Sequence, residues 1–124
     1  MKLLIVDDSN LIRTRITQVV THAPEQGIVI VALARNGAEA VQLARQYRPD
    51  IITLDLTMPE LDGVGAIREL MQLQPAPNIL VVSALADKST AILALKLGAR
   101  GFLCKPFTDD ELRNALQEVA SDQP

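Results

Sequence analysis

Asp7, Asp8, Asp55, Ser83 and Lys105 are residue types that handle metal ions and phosphate, and each stands where a short apolar run stops. Leu3-Leu4-Ile5-Val6 runs into Asp7-Asp8, and Ile51-Ile52-Thr53-Leu54 runs into Asp55. Ile79-Leu80-Val81-Val82 runs into Ser83, and Gly101-Phe102-Leu103-Cys104 runs into Lys105-Pro106. A buried strand that stops at a polar residue presents that residue at its carboxyl end, the edge where open parallel sheets bind ligands. If the runs are parallel neighbours, three carboxylates, one hydroxyl and one ammonium converge on one crevice. Close carboxylates repel and raise one another's pKa values. A hard cation relieves this, and Mg2+ suits because it accepts a few carboxylates and keeps waters elsewhere. Asp55 is then the candidate nucleophile, since a carboxylate attacking phosphorus gives an aspartyl phosphate. Phosphoryl transfer asks mainly for positioning and charge neutralisation. Lys105 can reach one phosphoryl oxygen, the metal a second, and Ser83 can donate a hydrogen bond to a third. Taken singly, Asp7-Asp8 reads as a solvated strand end and Lys105 as a surface group. Their joint occurrence on four strand ends carries the argument.

The elements that must position these residues follow from periodicity. Apolar runs of strand length alternate with helical segments, the pattern of βαβ units around a parallel sheet. The first run, about 2–7, is followed by Ser9 and Asn10 as caps and a stripe at Ile12, Ile16, Val19, Val20 and Ala23. Pro24 and Gly27 stop that helix. Ile28 to Ala34 is the second strand, and Ala38 to Tyr47 a helix that stops before Pro49. Asp50 to Asp55 leads through Thr57-Met58-Pro59 to a helix with Val64, Ile67, Leu70 and Met71, ended by Pro75 and Pro77. Asn78 to Ser83 precedes a helix from about Asp87 to Leu97, closed by Gly98. Gly101 to Lys105 is the fifth strand, and Thr108-Asp109-Asp110-Glu111 opens the last helix with a capping box. Near-continuous hydrophobicity in runs one, three and four marks strands covered on both faces. The expectation is one α/β domain over residues 1–124: five parallel strands between helices, in three layers.

Composition excludes several function classes. The chain has 124 residues, 48% of them hydrophobic and 22% charged, as a globular domain does. The net charge of −3 lacks the basic face that nucleic acid requires. No apolar stretch approaches the ~18 residues of a membrane span. With one cysteine, Cys104, there is no internal disulfide to form, so the cytoplasm is the expected compartment. Only 2% of residues are aromatic, few for stacking flavins or bases.

Val6-Asp7-Asp8-Ser9, the Asp55, Met58-Pro59 and Asp62-Gly63 spacing, Ser83-Ala84 and Lys105-Pro106-Phe107 resemble the motifs of response-regulator receiver domains across essentially the whole chain. The resemblance implies a flavodoxin-like (βα)5 doubly wound sheet in the order 2-1-3-4-5. It also implies a Mg2+-dependent phosphoacceptor, supplied by a sensor histidine kinase or a histidine phosphotransfer protein. By the same resemblance Asp8 and Asp55 bind the metal directly, Asp7 directly or through water, and Thr57 through its backbone carbonyl. Asp55 is the residue phosphorylated, while Lys105 and Ser83 hold phosphoryl oxygens. Phe102 stands where the family carries a Tyr or Phe that changes rotamer on activation, and here packing alone must hold its inward state. Ser83 and Phe102 form the expected switch. The chain catalyses only its own phosphorylation and dephosphorylation and is not expected to be an enzyme on a separate substrate. Leu85, apolar at a variable position beside the site, is expected to slow hydrolysis of the acyl phosphate.

The fourth helix is apolar nearly all round. With Leu93 and Leu97 toward the sheet, Ala91 and Leu95 point outward beside Phe102 and offer a surface to an unknown output protein or, on phosphorylation, to a second copy. His22 reads as a surface residue, Cys104 as an inert buried thiol, and Arg13, Arg15, Arg35, Arg45 and Arg48 as solvated faces. The leading expectation is a stand-alone receiver whose output is phosphorylation-dependent docking; the nearest alternative is the same module as the N-terminal regulator of a larger protein whose effector lies outside this chain. A flavin protein on this architecture conflicts with Asp7-Asp8, which would repel its phosphate. An aspartyl-phosphate phosphatase needs an acid where Thr57 stands.

Overall fold

The computed structural model describes residues 1–56, 63–84 and 88–121. Its strands are β1 (Lys2–Val6), β2 (Val29–Ala34), β3 (Ile51–Leu54), β4 (Asn78–Ala84) and β5 (Gly101–Lys105). Its helices are α1 (Asn10–Thr21), α2 (Gly37–Tyr47), α3 (Gly63–Leu70), α4 (Lys88–Leu97) and α5 (Asp109–Ser121), with a 3-10 turn at Pro24–Gln26. All neighbouring strands pair in parallel, in the order β2-β1-β3-β4-β5. The expected sheet is therefore present. The expected roles of Thr57 and Leu85 fall outside the described residues.

Strand alternation sorts the core onto two faces. Leu3, Ile5, Ile51, Leu80 and Val82 point toward α1 and α5, meeting Ile16, Val19, Leu112 and Leu116. Leu4, Val6, Ile52, Leu54, Ile79 and Val81 point the other way, onto Ala40, Ala44, Ile67, Leu70 and Ala94 of α2, α3 and α4. Burying each of the larger aliphatic side chains contributes about 1.5–3 kcal/mol, so the central strands anchor the domain.

Local chemistry sets the helix starts. Ser9 accepts from the backbone N–H of Ile12, and Asn36 from that of Glu39 at 2.8 Å. Thr108 Oγ1 accepts from the N–H of Glu111 while Glu111 accepts from the N–H of Thr108, which is the expected capping box. At the end of α4, Gly98 adopts φ +126°, and a Cβ there would lie 2.7 Å from Met71 Cε.

α4 departs from expectation. Ala91 (6% exposed) and Ala94 (0%) face the core, whereas Ile92 (55%), Leu93 (40%) and Leu95 (44%) face outward. Ala91 is thus a packing residue and not part of an outer surface, and Leu93 is not turned to the sheet. Two methyl groups one turn apart let the helix approach closely, which a Leu-led face would prevent. Cys104 is half-buried, because β5 is an edge strand and leaves its side chains less covered.

Candidate functional site

The β1–β3 ladder ends at Val6 and Leu54, and one further backbone bond holds each following residue. Asp7 N–H donates to Ala34 at 3.1 Å and Asp55 N–H to Val6 at 3.1 Å. Their backbones stay in register while their side chains clear the sheet. Ser83 pairs in register with Cys104, and Ala84 with Lys105. Strand alternation puts Asp7, Asp55 and Lys105 on the α1/α5 side of the strand ends, and Asp8 opens the loop into α1.

The structure brings the sequence candidates together. Carboxylate oxygens of Asp7, Asp8 and Asp55 lie within 4.8 Å of one another. Asp7 and Asp55 are buried and Asp8 is exposed. Lys105 Nζ donates to Asp7 Oδ2 at 2.8 Å and to Asp55 Oδ2 at 3.3 Å, bridging two strand ends. Ser83 is fully buried, and its hydroxyl points at Asp55 Oδ1 from 3.5 Å, long for a hydrogen bond. Phe102 lies away from this cluster, half-buried against the α2/α3/α4 core.

Burial pushes the Asp7 carboxyl above its ordinary range, and the negative charge of Asp55 adds to the effect. Hydrogen bonds from Lys105 and from the Ser9 N–H oppose that rise without cancelling it. For Lys105, burial disfavours the ammonium, but its hydrogen bond to Asp7 and the charges of Asp55 and Asp7 outweigh this and hold its pKa above the ordinary value. Among these four side chains, carboxylates outnumber ammonium groups three to one. The donor set is all oxygen and anionic, and one of its buried members carries an unfavourable charge. Those properties fit a hard divalent cation.

Two arginines expected on solvated faces instead brace this region. Arg13 Nη1 donates to the backbone carbonyl of Asp7 at 2.6 Å. Arg15 Nη2 donates to the carbonyl of Phe107 at 2.6 Å, with its guanidinium 4.8 Å from the centre of the Phe107 ring. His22 is exposed, as expected.

Residues 3–117 match the family model described as the response regulator receiver domain. The chain belongs to this family. As a receiver domain it is 40% identical over 120 residues to the chemotaxis protein CheY of Listeria monocytogenes, covering 97% of this chain and 98% of that one. It is also 44% identical over 107 residues to the protein-glutamate methylesterase/protein-glutamine glutaminase of Archaeoglobus fulgidus, covering 86% of this chain and 30% of that one. A chain of the CheX–CheY–BeF3–Mg+2 complex from Borrelia burgdorferi superposes with a TM-score of 0.88 at 30% identity, over 96% of this chain and 88% of that one. Among the described residues, no helix is long and apolar enough to cross a membrane.

Proposed function

We propose that this receiver domain takes a phosphoryl group onto Asp55 from the phosphohistidine of a sensor histidine kinase or a histidine phosphotransfer protein, in a Mg2+-dependent reaction. The observation that carries the reading is the Lys105 ammonium set between Asp7 and Asp55 at 2.8 and 3.3 Å, with the three carboxylates gathered within 4.8 Å. Asp7, Asp8 and Asp55 would hold the Mg2+, together with the backbone carbonyl that the resemblance assigns to Thr57. When bound, the ion supplies positive charge to the phosphoryl oxygens.

The chain's own residues do the rest. A carboxylate oxygen of Asp55 attacks phosphorus, and the P–N bond of the donor breaks. Its electron pair stays on the imidazole, which takes up a proton, and a carboxyl–phosphoryl anhydride remains on Asp55. Lys105 exchanges its contact with Asp55 for a phosphoryl oxygen, and Ser83 donates to another. Water later cleaves the anhydride and releases inorganic phosphate. The domain acts on itself alone, so it is a signalling module and not an enzyme with a separate substrate.

The added phosphoryl group brings about 1.5–2 negative charges at neutral pH, enough to bias a two-state element. Ser83 moves toward it and Phe102 turns into the space vacated. The change is read on the surface of α4, β5 and α5, where Leu95 stands exposed, by an output protein or by a second copy of the chain. A second reading draws on the 44% identity to a methylesterase of which the match covers 30%: the same module regulating an attached effector domain. The reading frame beyond Pro124 distinguishes the two.

Incubation with Mg2+ and acetyl phosphate should add the mass of one phosphate, lost in Asp55→Asn and in EDTA. An unchanged mass gain in Asp55→Asn overturns the assignment of the acceptor. Ser83→Ala should still be phosphorylated but no longer change partner affinity or oligomeric state.

A further inference from the structure

We infer that Arg15 is a positioning residue for Lys105, bracing from α1 the segment on which that ammonium depends. Among the described residues β5 pairs only with β4, and its ladder stops at Lys105. Residues 106–108 therefore continue without sheet bonds before α5 begins at Asp109. The lysine ammonium sits on a flexible four-carbon stem, so Nζ can bridge Asp7 and Asp55 only while the Lys105 backbone is held within reach of both.

Two contacts fix that backbone just past Lys105. The Phe107 ring is buried in the α1/α5 core. Its carbonyl accepts from Arg15 Nη2 at 2.6 Å, a short bond from a charged donor, between residues 92 positions apart. The guanidinium also lies over the Phe107 ring at 4.8 Å and reaches Asp109 Oδ1 at 3.4 Å. Phe107 is thus held on its ring, on its carbonyl and at the first residue of α5. α1 itself follows directly from Asp7-Asp8 through the Ser9 cap. Arg15 consequently fixes the spacing between the segment bearing two carboxylates and the segment bearing the ammonium that bridges them.

The ion pair with Asp109 is the dispensable part. Both side chains are substantially exposed, 40% and 59%, and exposed pairs contribute little. The carbonyl bond and the ring contact carry the bracing. The outer edge of Arg15 borders an open groove of about 510 Å³ between α1 and α5, so truncating it leaves the apolar core in place.

The consequence for phosphoryl transfer rests on the function proposed above, so the experiment includes a readout that does not. Arg15→Met, Arg15→Lys and Asp109→Asn are compared with wild type. The NH3+ resonance of Lys105 is observed by NMR in EDTA, and phosphorylation by acetyl phosphate is timed at saturating Mg2+. Misplacing a reacting group by an ångström costs up to about a hundredfold, so in Arg15→Met we expect phosphorylation slowed about tenfold and the Lys105 protons exchanging at least about tenfold faster. Arg15→Lys should recover most of both, and Asp109→Asn should match wild type in both. The Mg2+-induced rise in melting temperature should be unchanged in all three. An unaltered Lys105 resonance in Arg15→Met overturns the inference, and so does loss of the Mg2+ response in step with rate. If wild type gains no phosphate, the proposed function falls, while the resonance still decides the bracing role.

Discussion

Replacing Asp7 by Asn should make the metal-free protein more stable and the metal-loaded protein less so. At an effective dielectric of about 20, the 2.8 Å contact with Lys105 attracts by about 6 kcal/mol. The Asp55 carboxylate, within 4.8 Å, repels by at least about 3.5 kcal/mol on the same scale, and exposed Asp8 adds about 1 kcal/mol through water. The pair terms nearly cancel, and the several kcal/mol lost on burying a carboxylate then decide the sign. The raised Asp7 pKa has the same meaning: the fold disfavours the charge. Asn keeps the acceptor for the Ser9 N–H but turns an amide toward Lys105, which retains Asp55. We therefore expect a net gain of about 1 kcal/mol in EDTA, or about 4 °C in Tm for a domain of this size. Mg2+ at a hundred times its Kd stabilises wild type by about 2.7 kcal/mol and the variant far less, so the order reverses. The pH dependence follows from the direction of the shift. Below pH 3.8 Asp7 is neutral folded and unfolded, and the two proteins differ little. The wild-type deficit develops as pH rises through the elevated folded pKa. Differential scanning calorimetry with EDTA and with Mg2+ is the assay. A variant that melts below wild type in EDTA, or that gains as much from Mg2+, refutes the reasoning.

Lys105→Met should cost about 2–4 kcal/mol in urea unfolding at pH 7, because it strands two buried carboxylates. Since the folded pKa of Lys105 is raised above 10.5, its contribution is complete below that pH and fades as pH climbs through the folded value, closing the gap between the proteins. Thr53→Val should stabilise by about 1 kcal/mol, because the Thr53 hydroxyl is buried without a hydrogen-bond partner among the described residues; a loss of stability would show that the hydroxyl has a use in the resting fold. Gly98→Ala should destabilise by about 1–3 kcal/mol through its left-handed backbone and the contact with Met71, read as a lower urea midpoint at unchanged slope.

The residues at strand ends were readable because an apolar run that stops at Asp7 or Asp55 states both the strand and the place where it surfaces. Their convergence could not be read from periodicity, since strand order is a tertiary property; it came from the family resemblance. The capping box at Thr108 was readable because both partners lie within one turn. α4 was misread because nearly every position is apolar, and hydrophobicity cannot then choose a face. What chose it was size, with Ala91 and Ala94 permitting close approach. Arg13 and Arg15 were missed for a different reason: their partners are backbone carbonyls, which every residue carries and no side-chain pattern encodes.

The inverted packing of α4 has a consequence for how this surface can diversify. It is attached through the methyl groups of Ala91 and Ala94 and the half-buried Leu97, while Ile92, Leu93 and Leu95 touch water. Substitutions at those three positions should each alter stability by no more than about 0.5 kcal/mol, as on other exposed positions. The outer face of the helix can therefore be rewritten residue by residue without disturbing the sheet that carries Asp55 and Lys105. If the proposed docking role holds, recognition is written on the outer face of this helix and chemistry on the strand ends of the sheet, and each can drift at its own pace.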